Sequence, residues 1–284
     1  MIDIFHRLIE FVMPFDWARY DFMKNALMAV ILVTPVFALA GTTVISKHMA
    51  FFSDVLGHSA LTGLAIGIVL GLCDPTLSIV VLGILLAVAV VIFKGTTQAT
   101  SDTVLGVLFA MVVALGIVIL SRGGGFAKYT AYLIGDILTV TPGQIFMLAV
   151  ITMGVLLYWF IFGNRLALVS VNPSLAASRG INVLLMEISF AVLVAIVVTL
   201  SIRLVGILII NSLLILPAAS SRNISRNIHS YTIWAIIISV TSGITGLVVS
   251  YYWGTASGAT IVLFAAFFYC ITVLFRARRR TSKG

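Results

Sequence analysis

Charge is what this sequence has least of. Asp, Glu, Lys and Arg together make up 9% of its 284 residues, where a soluble domain carries about 25%. So little charge cannot cover a water-exposed surface, and a soluble fold is excluded. Cysteine occurs twice, as Cys73 and Cys270, in no metal-ligand spacing, which excludes a disulfide scaffold and a paired-cysteine zinc site. The phosphate-loop signature G-x-x-x-x-G-K-S/T is absent, as are H-E-x-x-H and G-x-S-x-G. The chain therefore hydrolyses no ATP through such a loop of its own, and no marked nucleophile points to a membrane enzyme. A cleavable signal peptide is not expected either, because Asp3, Arg7, Glu10, Asp16 and Arg19 interrupt the first twenty residues.

What is there is apolar: 61% hydrophobic residues and a mean hydropathy of +1.21. In hydrocarbon every backbone polar group must be satisfied internally, and a spanning helix takes about 20 apolar residues. The expected fold is an all-α, polytopic transmembrane helical bundle. Spans fall near 25–45, 52–71, 76–94, 103–121, 144–163, 183–202, 205–219, 231–252 and 256–275. The seventh is short, contains Asn211 and Ser212 and ends at Pro217. It reads as a broken or re-entrant helix, so the segments number eight or nine.

The net charge of +8 calls for no nucleic acid, since basic residues in short loops set membrane orientation. With nine crossings and a cytoplasmic C-terminus, eleven of the 17 Lys and Arg fall inside and six outside. Arg276, Arg278, Arg279, Arg280 and Lys283 supply the basic tail over 276–284. Ahead of the membrane domain at 25–275, residues 1–24 form an interfacial segment, with Ile2, Phe5, Leu8, Ile9 and Val12 at helical spacing.

Local signals punctuate the spans. Pro35 is expected to kink the first, and the small residues from Ser59 to Gly67 to let helices approach closely. Asp102 reads as the N-terminal cap of the fourth span. After the glycine turn at 123–125, the apolar stretch 132–142 is expected to pack back as a short helix, with Asp136 near the outer mouth or as a capping carboxylate. Between the fifth and sixth spans, Asn172 should cap a short cytoplasmic helix that starts at Pro173 and stops at Gly180.

Two ionisable residues, Asp54 and His58, open the second span four positions apart. On a helix they share a face with roughly 5–6 Å between Cβ atoms, a spacing at which a carboxylate and an imidazole hold one divalent cation. Ionisable residues within a membrane segment are costly and point to function. The same residues also admit a plain reading, in which Ser53 or Asp54 caps the helix and His58 sits on a wet face. The residues alone leave both open.

Residues 203–226 combine an apolar half-helix, a proline break at Pro217 and a small-residue helix with basic ends. This stretch resembles the pattern VG-x-L-L-x-x-x-L-L-I-x-PAA-x-A-R of the permease subunits of zinc, manganese and iron ATP-binding-cassette importers. Ser53-Asp54 through His58-Ser59, Asp102-Thr103 through Gly106, Tyr132 through Thr141 and Asn172-Pro173 through Ala176 match the same family in the same order. Departures are the longer N-terminal extension, Asn211 and the Ser220-Ser221 pair.

The resemblance implies a non-catalytic permease homodimer in the bacterial cytoplasmic (inner) membrane. Two copies of a cytoplasmic ATPase subunit would drive it, and an extracytoplasmic metal-binding protein would deliver the ion. No cofactor is bound permanently; the cargo is a divalent metal, Zn2+ before manganese or iron. Asp54 and His58 become the metal site, and Asp136 a further ligand of the zinc branch. Pro217, Ala218, Ala219, Ser220, Arg222 and Arg226 become the element coupled to the ATPase. A stand-alone, gradient-driven metal transporter or channel is the alternative, and it leaves the basic helix after Pro217 without a purpose.

Overall fold

The computed structural model describes residues 16–72, 74–123 and 135–281. Among them the fold is all-helical, with ten α-helices and no strand. In chain order these are α1 (Asp21–Ser46), α2 (Phe52–Val69), α3 (Thr76–Thr96), α4 (Ser101–Gly123), α5 (Pro142–Val171), α6 (Pro173–Ser178), α7 (Val183–Val205), α8 (Ile207–Ile224), α9 (Ile228–Trp253) and α10 (Ser257–Thr281). Single 3-10 turns occupy Asp16–Arg19 and Ile137–Thr139. Nine of the described helices, all but α6, are long and apolar enough to cross a membrane.

The seventh span corrects the expectation. Helix α8 runs unbroken through Pro217 to Ile224, and the helical geometry is interrupted at Gly206 instead, where φ is 89° and ψ 147°. That backbone region suits glycine and strains any residue with a Cβ. An internal proline forfeits one helical hydrogen bond and crowds the carbonyl four residues back; packed neighbours in membrane bundles make this tolerable. Pro217, Ala218, Ser220 and Ser221 are all buried. Likewise α1 continues through Pro35. It begins at Asp21, four residues before the expected span, with buried Lys24 donating to the Asp21 carboxylate at 3.3 Å.

The chain divides into two compact units. One comprises Met1–Thr42, Asp136–Leu156 and Leu204–Gly284. In it α10 packs on α8 and α9, and a methyl group added at Gly246 would meet the Ile261 Cα at 2.5 Å. Ser239 of α9 donates to the Thr34 carbonyl of α1 at 2.9 Å. At the C-terminal end of α8, the Ser221 hydroxyl donates to the Tyr231 carbonyl at 2.6 Å, and Arg276 donates to the Asn223 side-chain oxygen at 3.0 Å.

The other unit comprises Thr43–Gly135 and Leu157–Arg203, and it carries Asp54 and His58. Helices α2 and α3 run antiparallel with backbones nearly touching, since a methyl group at Gly63 would meet the Ile79 Cα at 2.7 Å. The expected close approach of the 59–67 stretch is thus realised. Helices α2 and α4 run parallel: His58 faces Phe109, and Thr62 donates to the Val112 carbonyl at 2.7 Å. Lipid is as apolar as a leucine side chain, so close packing holds the helices together, with interhelical hydrogen bonds adding about 0.6 kcal/mol each.

The short helix α6 forms as expected. The Asn172 side chain accepts the Leu175 N–H at 3.0 Å, Pro173 is the first helical residue, and Gly180 stands at φ 77° beyond the end. Cys270 is a free, exposed thiol. Cys73, the tail side chains beyond Arg276, and the expectations for residues 1–15 and Tyr132–Ile134 lie outside what is described.

Candidate metal site

Helix α2 starts at Phe52, with Phe51 at the N-cap position and no side-chain cap bond there. Neither Ser53 nor Asp54 is therefore the N-cap residue, and the Ser53 hydroxyl is buried with no hydrogen-bond partner among the described residues. Asp54 falls within the first turn and His58 one turn later, both half-buried. They open on one cavity of about 480 Å³, lined by Phe51, Asp54, Val55 and His58 from α2 and its cap, and by Asp102, Leu105, Gly106 and Phe109 from α4. His58 and Phe109 stand edge to face, with ring centroids 5.3 Å apart and planes at 90°.

The donors Asp54 and His58 offer a carboxylate and an imidazole, a borderline-hard set that suits a first-row divalent cation. Among the described residues no group of three or more His, Cys, Asp and Glu side chains is placed to hold a metal ion jointly. Two donors alone would leave further coordination positions of such a cation open to water.

Asp102, expected as a cap, is found on the α4 wall of this cavity. The cap is Thr100, whose hydroxyl accepts the Thr103 N–H at 3.3 Å and whose carbonyl accepts the Val104 N–H at 3.2 Å. Asp102, Gly106 and Phe109 recur at four and three residues, so one face of α4 carries the wall. That spacing was visible in the sequence.

Asp136 is not among the residues lining the cavity. Its side chain accepts the Leu138 N–H at 3.0 Å and caps the 3-10 turn, while Ile137 beside it is buried. Of the residues expected to couple to an ATPase, Pro217, Ala218 and Ser220 are buried, Ala219 is half-buried, and Arg222 and Arg226 are exposed.

Among the described residues outside the membrane segments, two groups are shifted. Burial pushes the Lys47 ammonium below the usual lysine value, although Glu187 accepts from it at 2.6 Å and pulls the other way. Hydrogen bonding from Thr76 holds the Asp74 carboxyl below the usual range, and the Thr76 N–H lies 2.9 Å from its oxygen.

Residues 19–276 match the model of the ABC 3 transport family. The chain is 35% identical over 260 residues to the high-affinity zinc uptake system membrane protein ZnuB of Haemophilus influenzae, covering 91% of this chain and 99% of that one. It is 27% identical to the manganese import system permease protein ScaB of Streptococcus parasanguinis, covering 93% and 94%. Among solved structures it superposes on PsaBC from Streptococcus pneumoniae in complex with Fab, with a TM-score of 0.75, 28% identity and coverage of 96% and 95%.

Proposed function

We propose, on the premise that the chain belongs to the ABC 3 transport family, that it is the permease of an ATP-driven importer of a divalent metal cation, zinc before manganese or iron. The observation that carries this reading is the opening of Asp54 and His58, one helical turn apart, onto a single cavity between α2 and α4. The imidazole favours zinc, which stands above manganese in intrinsic affinity for such donors. The zinc-named relative at 35% identity supports the same choice over the manganese-named relative at 27%.

In this account the permease pairs with a second copy in the cytoplasmic membrane, C-terminus inside, and supplies no catalysis of its own. Two ATPase subunits act on the end of α8 and the turn after it. Only Arg222 and Arg226 among the coupling residues are exposed there, whereas buried Pro217, Ala218 and Ser220 shape the helix that carries them. Nucleotide-driven closure then tilts α8 and alters access to Asp54 and His58. Asp136 serves as a secondary contact for the arriving ion through the carboxylate oxygen left over from its cap.

Co-purification of the chain with an ATPase, followed by ATP hydrolysis stimulated by Zn2+ and the extracytoplasmic binding protein, tests this assembly. Charge reversal of Arg222 and Arg226 together is expected to abolish the stimulation. Wild-type stimulation in that variant would remove the coupling assignment, and uptake without any ATPase would favour a gradient-driven transporter.

A further inference from the structure

Asp102 is an exposed residue of the cavity wall whose local role is limited to the first-turn charge it offers the helix dipole. Thr100 caps α4 in its stead, and among the described residues Asp102 has no hydrogen-bond or ion-pair partner. The parallel register of α2 and α4 sets its level. His58 lies beside Phe109; Asp54 precedes the first by four residues and Asp102 precedes the second by seven. At 1.5 Å per residue these offsets are about 6 and about 10 Å toward the N-terminal ends of the two helices. The cavity therefore presents, in order along its axis, an imidazole, a carboxylate and a second carboxylate roughly one turn further on.

Charge balance gives that second carboxylate a purpose. A metal-bound histidine is neutral, so Asp54 and His58 leave a divalent cation with one uncompensated charge in an apolar cavity, which is costly. Asp102 supplies the missing negative charge. The N-terminal ends of α2 and α4 also carry positive partial charge, which opposes a cation moving toward them unless a carboxylate stands there. We infer that Asp102 is a second cation station, taking the hydrated ion from the Asp54–His58 pair and drawing it toward the N-terminal ends of α2 and α4. It is a separate station because the three side chains are not placed to hold one ion jointly. The inference rests on reading Asp54 and His58 as the transport site.

The test is initial-rate uptake of radiolabelled Zn2+ by cells that carry the full chain with its native partner proteins, each rate normalised to permease in the membrane. Asp102→Asn is expected to lower the maximal rate about tenfold, with the half-saturating Zn2+ concentration within about twofold of wild type. Asp102→Glu should recover most of the rate. The double variant Ser101→Asp with Asp102→Asn restores a first-turn carboxylate on another face of α4, and it should remain impaired. Asp102→Ser replaces Asp102→Asn should the latter not accumulate. A wild-type rate in Asp102→Asn, or recovery in the double variant, overturns the inference. Asp54→Asn separates the two claims: its loss of uptake beside an unaffected Asp102→Asn sinks only the second station, whereas full uptake in Asp54→Asn sinks the transport site itself.

Discussion

The His58 imidazole stands edge-on to the Phe109 ring, with centroids 5.3 Å apart and planes perpendicular. The contact joins α2, which carries Asp54 and His58, to α4, which forms the facing wall, and it holds the imidazole at a fixed tilt. An edge-to-face pair contributes about 0.5–1.5 kcal/mol beyond its buried area. Phe109→Ala should therefore raise the half-saturating Zn2+ concentration for uptake about two- to tenfold, with the maximal rate less affected. Leu at this position, which fills the space without an aromatic edge, should recover folding and leave the weakened affinity. Titration of uptake against Zn2+ checks both.

Lys47 and Glu187 form an ion pair at 2.6 Å that ties the segment before α2 to α7, with the lysine buried and the glutamate a quarter exposed. Removing one partner of a fully buried pair costs about 3–5 kcal/mol, whereas replacing both by apolar residues is often neutral. Because Glu187 keeps some water, Lys47→Met alone should cost on the order of 2 kcal/mol, and Lys47→Met with Glu187→Leu should recover most of it. Thermal unfolding of the detergent-solubilised permease reads the difference.

Asp74 gives a pH dependence with a defined sign. Hydrogen bonding from Thr76 lowers its folded value below the ordinary 3.8, so the contribution is present above the unfolded value and is lost as pH falls through the folded one. The stability gap between wild type and Asp74→Asn should be constant from neutral pH to about pH 5 and shrink below it. A gap that widens on acidification would contradict this. The group is fully exposed, and the effect is correspondingly small.

Much of the fold was legible because a membrane helix is a long, uniform signal. The spans expected at 76–94 and 183–202 appear as Thr76–Thr96 and Val183–Val205. The Asn172, Pro173 and Gly180 signals also worked, since a cap, a fixed φ and a left-handed stop act within a few residues and owe nothing to distant packing. Pro217 misled for the opposite reason. Its local tendency to break a helix is opposed by the burial of its neighbours, and Gly206, with no side chain to signal anything, takes the interruption instead.

At the site, Asp54 and His58 stood out because charge is rare in such a segment. Asp102 did not, because a carboxylate at the start of a helix has a ready local explanation. Only the register of α4 against α2, set by contacts such as Thr62 to Val112, turns it toward the cavity. The wall residues Leu105, Gly106 and Phe109 sit in a helix apolar on every side, where hydrophobic periodicity offers no contrast.

Uptake of radiolabelled Zn2+ by cells carrying the Asp54→Ala, His58→Ala double variant, with the amount of assembled complex measured in the same membranes, bears most directly on the central claim. A cation that must exchange part of its water shell for that carboxylate and imidazole cannot pass when both are methyl groups, so uptake should fall to background while the complex still assembles. Undiminished uptake in the double variant would contradict the account.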